Sequence, residues 1–386
     1  MELVSSIFTI LQNIGAVALG LLGIGFLIGF HELGHFLFCK LFYVSTPTFS
    51  IGFGPKIFSK KIGATEFTLS AIPLGGFVEM AGSAEMGQGE QKLAQSTDQF
   101  SFATKPYYQK LLIMVGGIAF NLSFAYIAFT LLYLTGIPKT PIMYPSNCTT
   151  EIEWVEPGSP ADSINLQPGD IITSIDQVNV ENDTLKLLET IQGMPEKRTD
   201  ITIKRNGQPI TYRVLIASKE INGQNVGSLG MKCAMKEIAP LSIGESISAG
   251  IKLTNDWIKR TVMAFASIFK RGEVKNLGGP LSVVAMTMQG ASAGLKILLL
   301  LLAVISINLA VLNLIPLPIL DGGQILFYTI EAIIGRPLPI KVREYIHIAS
   351  WILILALTLI LSVRDVGRLA SPALEKVKEL FGILPK

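Results

Sequence analysis

The chain alternates between long apolar stretches and mixed polar ones. Four stretches predict membrane-crossing helices: about Ile14–Leu37, Leu111–Gly136, Ile297–Leu320 and His347–Val363. A helix that crosses the hydrocarbon core needs roughly 17–25 residues, and the fourth sits at the short end of that range. The first does not read as a cleaved leader. No basic residue precedes it, no small-residue cleavage site follows it, and polar side chains interrupt its apolar run.

The polar stretches carry other patterns. Residues 49–80, FSIGFGPKIFSKKIGATEFTLSAIPLGGFVEM, are short apolar runs broken by Gly and Pro, which predicts strands. Gly52, Gly54, Gly75 and Gly76 mark turns or close backbone approaches. Glu85–Thr104 is polar and Gln/Ser-rich, a flexible loop. Further on, EIEWVEPGSPADSINLQPGDIITSIDQVNV reads as strand, turn, short helix, turn, strand. DITIKRNGQPITYRVLI reads as a hairpin turning at Asn206-Gly207. Ile243–Lys270 predicts an amphipathic helix with Ile247, Ile251, Trp257, Ile258 and Phe265 on or near its apolar face. Leu369–Lys386 reads equally as a surface helix or a disordered tail.

Composition agrees with a bilayer. Hydrophobic residues make up 49% of the 386 and charged ones 16%, against about 25% charged in soluble domains. The mean hydropathy is +0.49. A net charge of +3 without a long basic block excludes a nucleic-acid partner. Lys40, Lys56, Lys60, Lys61, Lys105 and Lys110 follow the first span, and Arg336, Lys341 and Arg343 lie between the third and fourth. Both loops therefore read as cytoplasmic, which puts the termini and residues of about 138–293 outside.

Of three cysteines, none forms a C-x-x-C pair, so a thiolate metal site is not expected. Cys39 reads as a packing residue. Cys148 and Cys233 flank the middle region, and a disulfide between them requires Cα atoms within about 7 Å.

The chemistry concentrates in His31-Glu32-Leu33-Gly34-His35. On a helix, residues i and i+4 share a face, so both imidazoles reach one ion while the glutamate reaches its water as general base. Two of the chain's three histidines lie here, inside an apolar stretch where an ionisable side chain costs about 2.5–3.5 kcal/mol on insertion scales. A catalytic zinc usually takes three protein ligands. His347 opens the fourth span without a motif and reads as an interfacial residue. Asp321, before Gly322-Gly323, reads equally as a turn residue or a ligand. Pro316 and Pro318 break the helix beside it, and broken backbone at membrane depth is tolerated where it lines a cavity. A metal transporter is disfavoured, since neither internal repeats nor further spans are present.

H-E-x-x-H in the first span, with Asn313-Leu-Ile-Pro-Leu-Pro-Ile-Leu-Asp321-Gly322-Gly323 in the third, resembles the site-two protease family of intramembrane zinc metalloproteases, in its bacterial RseP/RasP-type branch. Gly52-Phe53-Gly54-Pro55, residues 72–78 (IPLGGFV), residues 116–121 (GGIAFN) and residues 279–282 (GPLS) resemble further segments of that branch, so the similarity runs across nearly the whole chain. Residues 156–161 (EPGSPA) and 166–172 (LQPGDII) resemble a PDZ domain. Some relatives carry two in tandem, whereas this chain has room for one.

The resemblance implies an α-helical polytopic membrane protein with about four transmembrane helices, a membrane-associated β-region and an inserted α+β/β PDZ domain. Residues 1–136 and 294–386 form two catalytic membrane halves, 137–240 an extracytoplasmic PDZ domain and 241–293 an amphipathic helical linker. One Zn2+ per chain sits on His31, His35 and Asp321, Glu32 is the general base, and Asn313, Gly75 and Gly76 bind substrate. The expected setting is the bacterial inner membrane, with the active site toward the cytoplasm. The expected partners are the lipid bilayer, single-span membrane substrates such as anti-sigma factors or remnant signal peptides, and a peptide or trimmed substrate terminus at the PDZ domain. The competing class is a non-proteolytic PDZ-bearing scaffold.

Overall fold

The structure, a computed structural model, describes residues 2–83, 93, 96–221, 224–271 and 278–380. In chain order the elements are α1 (Glu2–Leu41), β1 (Thr48–Ile62), β2 (Thr65–Val78), α2 (Tyr107–Thr135), β3 (Cys148–Val155), α3 (Pro160–Ser163), β4 (Ile171–Ile175), β5 (Val178–Asn179), α4 (Thr184–Gln192), β6 (Arg198–Arg205), β7 (Gln208–Leu215), β8 (Ala217–Ile221), β9 (Gln224–Ser228), β10 (Met231–Met235), α5 (Ile243–Arg271), α6 (Pro280–Ala293), α7 (Leu295–Asn313), α8 (Asp321–Ile334) and α9 (Ile340–Leu380). They form two units, one of residues 1–132 with 242–386 and one of 133–241.

Among the described residues of the larger unit, four helical segments are long and apolar enough to cross a membrane: Ile14–Leu41, Tyr107–Thr135, Leu295–Asn313 and Lys341–Arg368. Association between helices in lipid has little hydrophobic driving force, so close backbone approach must supply packing. Gly34 of α1 and Gly116 of α2 meet so closely that a Cβ on Gly34 would overlap the Gly116 carbonyl. A Cβ on Gly20 would lie 3.1 Å from the backbone nitrogen of Met288, which brings α6 onto α1. That contact lay outside the sequence pattern, since α6, at 14 residues, is too short to register as a span.

The third apolar stretch is not one helix to Leu320. Helix α7 ends at Asn313, a short turn follows, and Asp321 opens α8 instead of closing the span. Pro316 and Pro318 lack the N–H that a continuing helix needs. The turn closes locally, Leu317 N–H donating to Ile315 O at 2.7 Å and Leu320 N–H to Leu317 O at 2.8 Å. Gly322 and Gly323 sit against the carbonyls of Leu314 and Leu317, where a side chain would not fit.

β1 and β2 form one antiparallel hairpin whose register shifts repeatedly between Thr48 and Phe58. Gly52 and Gly54, at φ +89° and +86°, lie within that irregular stretch. Its inner end packs under α1, with Phe49 and Phe67 rings both 5.5 Å from that of Phe36. Of the flexible loop expected over Glu85–Thr104, residues 85–92 and 94–95 lie outside the described residues, and its far end is ordered differently from that expectation: Phe102–Thr104 form a short 3-10 turn with Phe102 buried.

The second unit is β-rich. Five strands run β10-β3-β4-β6-β7, with β5 pairing β4. Ile201 and Ile203 on β6 alternate inward, joining Ile152, Ile172, Ile175, Leu187 and Val214 in a common core. The β6–β7 hairpin turns at Asn206-Gly207, both at positive φ, the backbone that suits the twist of a two-residue turn. Asp170 is buried, and its carboxylate accepts from Arg205 Nε and a terminal guanidinium nitrogen, each at 2.7 Å. Cys148 and Cys233 are buried free thiols.

Candidate active site

His31 and His35 stand one turn apart on α1, and their Nε2 atoms are 3.1 Å from each other. Asp321, the first residue of α8, brings Oδ2 to 3.3 Å from His31 Nε2 and Oδ1 to 3.5 Å from His35 Nε2. One donor atom from each of the three residues lies within 4.8 Å of the others. The proline-broken turn is what delivers the carboxylate. It ends α7 at Asn313, beside His31, and restarts the chain as a helix with Asp321 in its positive first turn.

The surroundings prepare these groups. His35 Nδ1 lies 2.8 Å from the Ile113 carbonyl of α2. A carbonyl only accepts, so the proton belongs on Nδ1 and the Nε2 lone pair is left for a ligand. Gly117 of α2 faces both rings with no room for a side chain. Asp321 Oδ2 is buried and has no hydrogen-bond partner, which is costly unless a cation satisfies it. Two imidazoles and a carboxylate with converging lone pairs are a donor set that fits zinc.

Glu32 is held from the other side. Its carboxylate accepts from the Val78 backbone N–H at the end of β2. Gly76 passes so near that a Cβ there would lie 3.3 Å from Glu32 Cγ and 2.9 Å from Ser50 O. Gly75 packs on the Phe53 ring with no space for a Cβ. A cavity of about 480 Å³ opens over these groups. His31, Glu32, His35, Asp321, Asn313, Gly75 and Gly76 all line it, so the residues singled out from sequence meet in one place.

Other wall residues were not expected in the site. His347 and Trp351 reach the cavity from α9, and Gln324 Nε2 lies 2.8 Å from Pro318 O and 3.4 Å from His347 Nε2. The interfacial reading of His347 thus gives way to a place in the wall. Its signal was an ionisable group beside an apolar run. Asn121 of α2 also lines the cavity, its side-chain amide 3.1 Å from His31 Nδ1. Asn313 Nδ2 is 3.4 Å from His31 Nε2. Asn308, also on α7, accepts from Thr261 Oγ1 of α5 at 3.0 Å, a bond between helices.

Over most of its length the chain is similar to known proteins. A protein of Clostridium perfringens, provisionally named a zinc metalloprotease, is 31% identical over 355 residues, covering 91% of this chain and 98% of that protein. The zinc metalloprotease RasP of Geobacillus kaustophilus is 26% identical over 415 residues, covering 89% and 96%. Among solved structures, the PDZ domain of an SdrC-like protein from Listeria monocytogenes is similar at 17% identity and a TM-score of 0.20, covering 23% of this chain and 88% of that one. Residues 19–357 match peptidase family M50, and the chain belongs to that family.

Proposed function

We propose that the protein is a multi-pass zinc metalloprotease that hydrolyses peptide bonds within or near the transmembrane segments of single-span membrane proteins. The observation that carries the proposal is the convergence of His31, His35 and Asp321 beside Glu32, in a cavity among apolar helices. One zinc per chain would be held by those three ligands. When bound, it supplies Lewis acidity toward the scissile carbonyl and lowers the pKa of water toward about 7.

Glu32 takes a proton from the attacking water as its oxygen bonds to the carbonyl carbon. The same carboxyl then returns that proton to the amide nitrogen as the C–N bond breaks. The Val78 N–H keeps the carboxylate turned to the cavity. Asn313 offers an amide to the substrate backbone, and β2, paired on one side with β1, offers its other edge near Gly75 and Gly76 to an unwound strand, a form of strand addition.

The setting is the bacterial inner membrane, and the lysines after the first span support an active site toward the cytoplasm with residues of about 138–293 outside. In that setting the second unit, acting as a PDZ domain, would receive a peptide or the trimmed end of a substrate. Anti-sigma factors and remnant signal peptides are substrates of the required form, and their cleavage would be regulated intramembrane proteolysis.

The test uses wild type, Glu32→Gln and Asp321→Ala in detergent, with zinc counted per chain and a helical single-span substrate. Wild type and Glu32→Gln should each hold about one zinc, only wild type should cut, and Asp321→Ala should lose metal. Cleavage by Glu32→Gln, or a folded wild type without metal, would make the non-proteolytic scaffold the better reading.

A further inference from the structure

His31 and His35 present the same atom, Nε2, toward Asp321. A neutral imidazole that ligates through Nε2 carries its proton on Nδ1, and that N–H needs an acceptor. His35 has one in the Ile113 carbonyl. Beside Nδ1 of His31 stands the side-chain amide of Asn121. Asn121 is 1% exposed. Its backbone carbonyl accepts from Ser306 Oγ of α7 at 2.9 Å, so α2 and α7 are joined at this residue.

An amide offers a donor, Nδ2, and an acceptor, Oδ1, at nearly the same reach, and a half-turn about the Cβ–Cγ bond exchanges them. With Nδ2 toward His31, the amide donates to Nδ1 and the ring proton must sit on Nε2, where it blocks ligation. With Oδ1 toward His31, the amide accepts from Nδ1–H and Nε2 presents its lone pair. The structure has Nδ2 in that position and Oδ1 without a partner, so no hydrogen bond through Oδ1 opposes the exchange.

We propose that Asn121 is a positioning residue of the metal site, whose Oδ1 accepts from His31 Nδ1–H and so fixes the tautomer and ring plane in which His31 ligates. The inference rests on the reading of His31, His35 and Asp321 as ligands. It extends that reading to the segment Gly116–Asn121, where Gly117 makes room for the rings and Asn121 orients one of them.

The test measures zinc affinity of the full-length protein in detergent by competition with a chelator. The proteins are wild type, Asn121→Leu, Asn121→Asp, His31→Ala and Asp321→Ala. Asn121→Leu keeps the approximate shape without an acceptor and should weaken zinc binding by about 10–100-fold. Asn121→Asp keeps an acceptor oxygen and should bind zinc as wild type does. A second readout is the ¹⁵N spectrum of zinc-loaded wild type labelled at its three histidines, with Nε2 of His31 coordinated and Nδ1 protonated.

Unchanged affinity in Asn121→Leu would overturn the proposal, as would an equal loss in folded Asn121→Asp or coordination of His31 through Nδ1. Because the spectrum is read on wild type, it decides the matter even where Asn121→Leu does not fold. If wild type binds no zinc, or binds it equally without His31 and Asp321, the ligand reading fails and this inference with it. Loss of zinc at His31→Ala and Asp321→Ala, with Asn121→Leu unaffected, would remove the role of Asn121 alone.

Discussion

Gly117 of α2 lies against the His35 ring so closely that a Cβ atom would overlap Nε2, the atom turned toward Asp321. The glycine is therefore a steric condition of the site. Gly117→Ala should displace the imidazoles, because inserting a methyl into a packed interior costs about 1–3 kcal/mol and is relieved by the neighbour that moves. The expected result is a protein that still folds, binds zinc at least about tenfold more weakly and loses cleavage in proportion. Zinc affinity and substrate cleavage measured together check it. Wild-type affinity in Gly117→Ala would show that the rings have slack absent from this packing.

Metal removal should cost stability as well as activity. A ligand that binds only the folded state stabilises it by about 2.7 kcal/mol at a concentration 100 times its Kd. Chelator-treated protein should therefore unfold at a lower temperature than zinc-loaded protein and should not cut. Added zinc should restore both properties to wild type, and only the thermal shift to Glu32→Gln. A Glu32→Gln protein that regains cleavage with zinc would remove the glutamate from proton transfer.

What could be read from sequence followed from local spacing. The four spans stood out because hydropathy is summed over neighbours in the chain, and H-E-x-x-H could be placed on one helix face because its period is local. Asp321 stood evenly between turn and ligand until Pro316, Pro318 and the two glycines were taken with it, since its approach to His31 depends on where α7 stops. The packing of α6 on α1 and the contact of Asn121 with His31 were invisible for a related reason. They arise from helix crossings at Gly20 and at Gly34–Gly116, and a crossing leaves no periodic trace. The fourth span was drawn too short, since its helix runs past Val363 through Arg364 and Asp365, where apolar pattern no longer reports helix.

In the second unit, the Asp170–Arg205 pair makes stability depend on pH. Burial alone would raise the Asp170 carboxyl, but the Arg205 guanidinium and the Gln167 N–H outweigh it and hold it below its ordinary range. A carboxyl lowered by folding stabilises the folded state above its unfolded pKa, about 3.9, and that stability is lost as pH falls through the lower folded value. Hydrogen exchange in β4 and β6 should therefore quicken as the medium is acidified below that range. Arg205→Met leaves a buried charge unpaired and should cost about 3–5 kcal/mol near neutral pH. Adding Asp170→Asn should recover part of that loss. If the double variant is no more stable than Arg205→Met, the cost is lost packing and not an unpaired charge.

Asp365 of α9 is fully buried and serves the start of α6. Its carboxylate accepts from the Gly279 N–H at 3.1 Å, the Ser282 N–H at 2.8 Å and the Ser282 hydroxyl at 2.5 Å. The first turn of a helix has N–H groups without intrahelical acceptors, and the Gly279 N-cap has no side chain to serve them. Asp365 supplies the missing acceptors from another helix and so ties α9 to α6. Little else in the apolar window of α9 is covered, with only 6% of it buried. Asp365→Ala should thus do two things. It should leave buried donors unmet at a cost of about 1–3 kcal/mol, and it should loosen α9, which carries His347 and Trp351 into the cavity wall. Asp365→Asn keeps one acceptor oxygen and should fall between Asp365→Ala and wild type. Thermal unfolding measures the first effect. Hydrogen exchange along α9 measures the second, and protection unchanged in Asp365→Ala would mean that α9 is held by something other than this carboxylate.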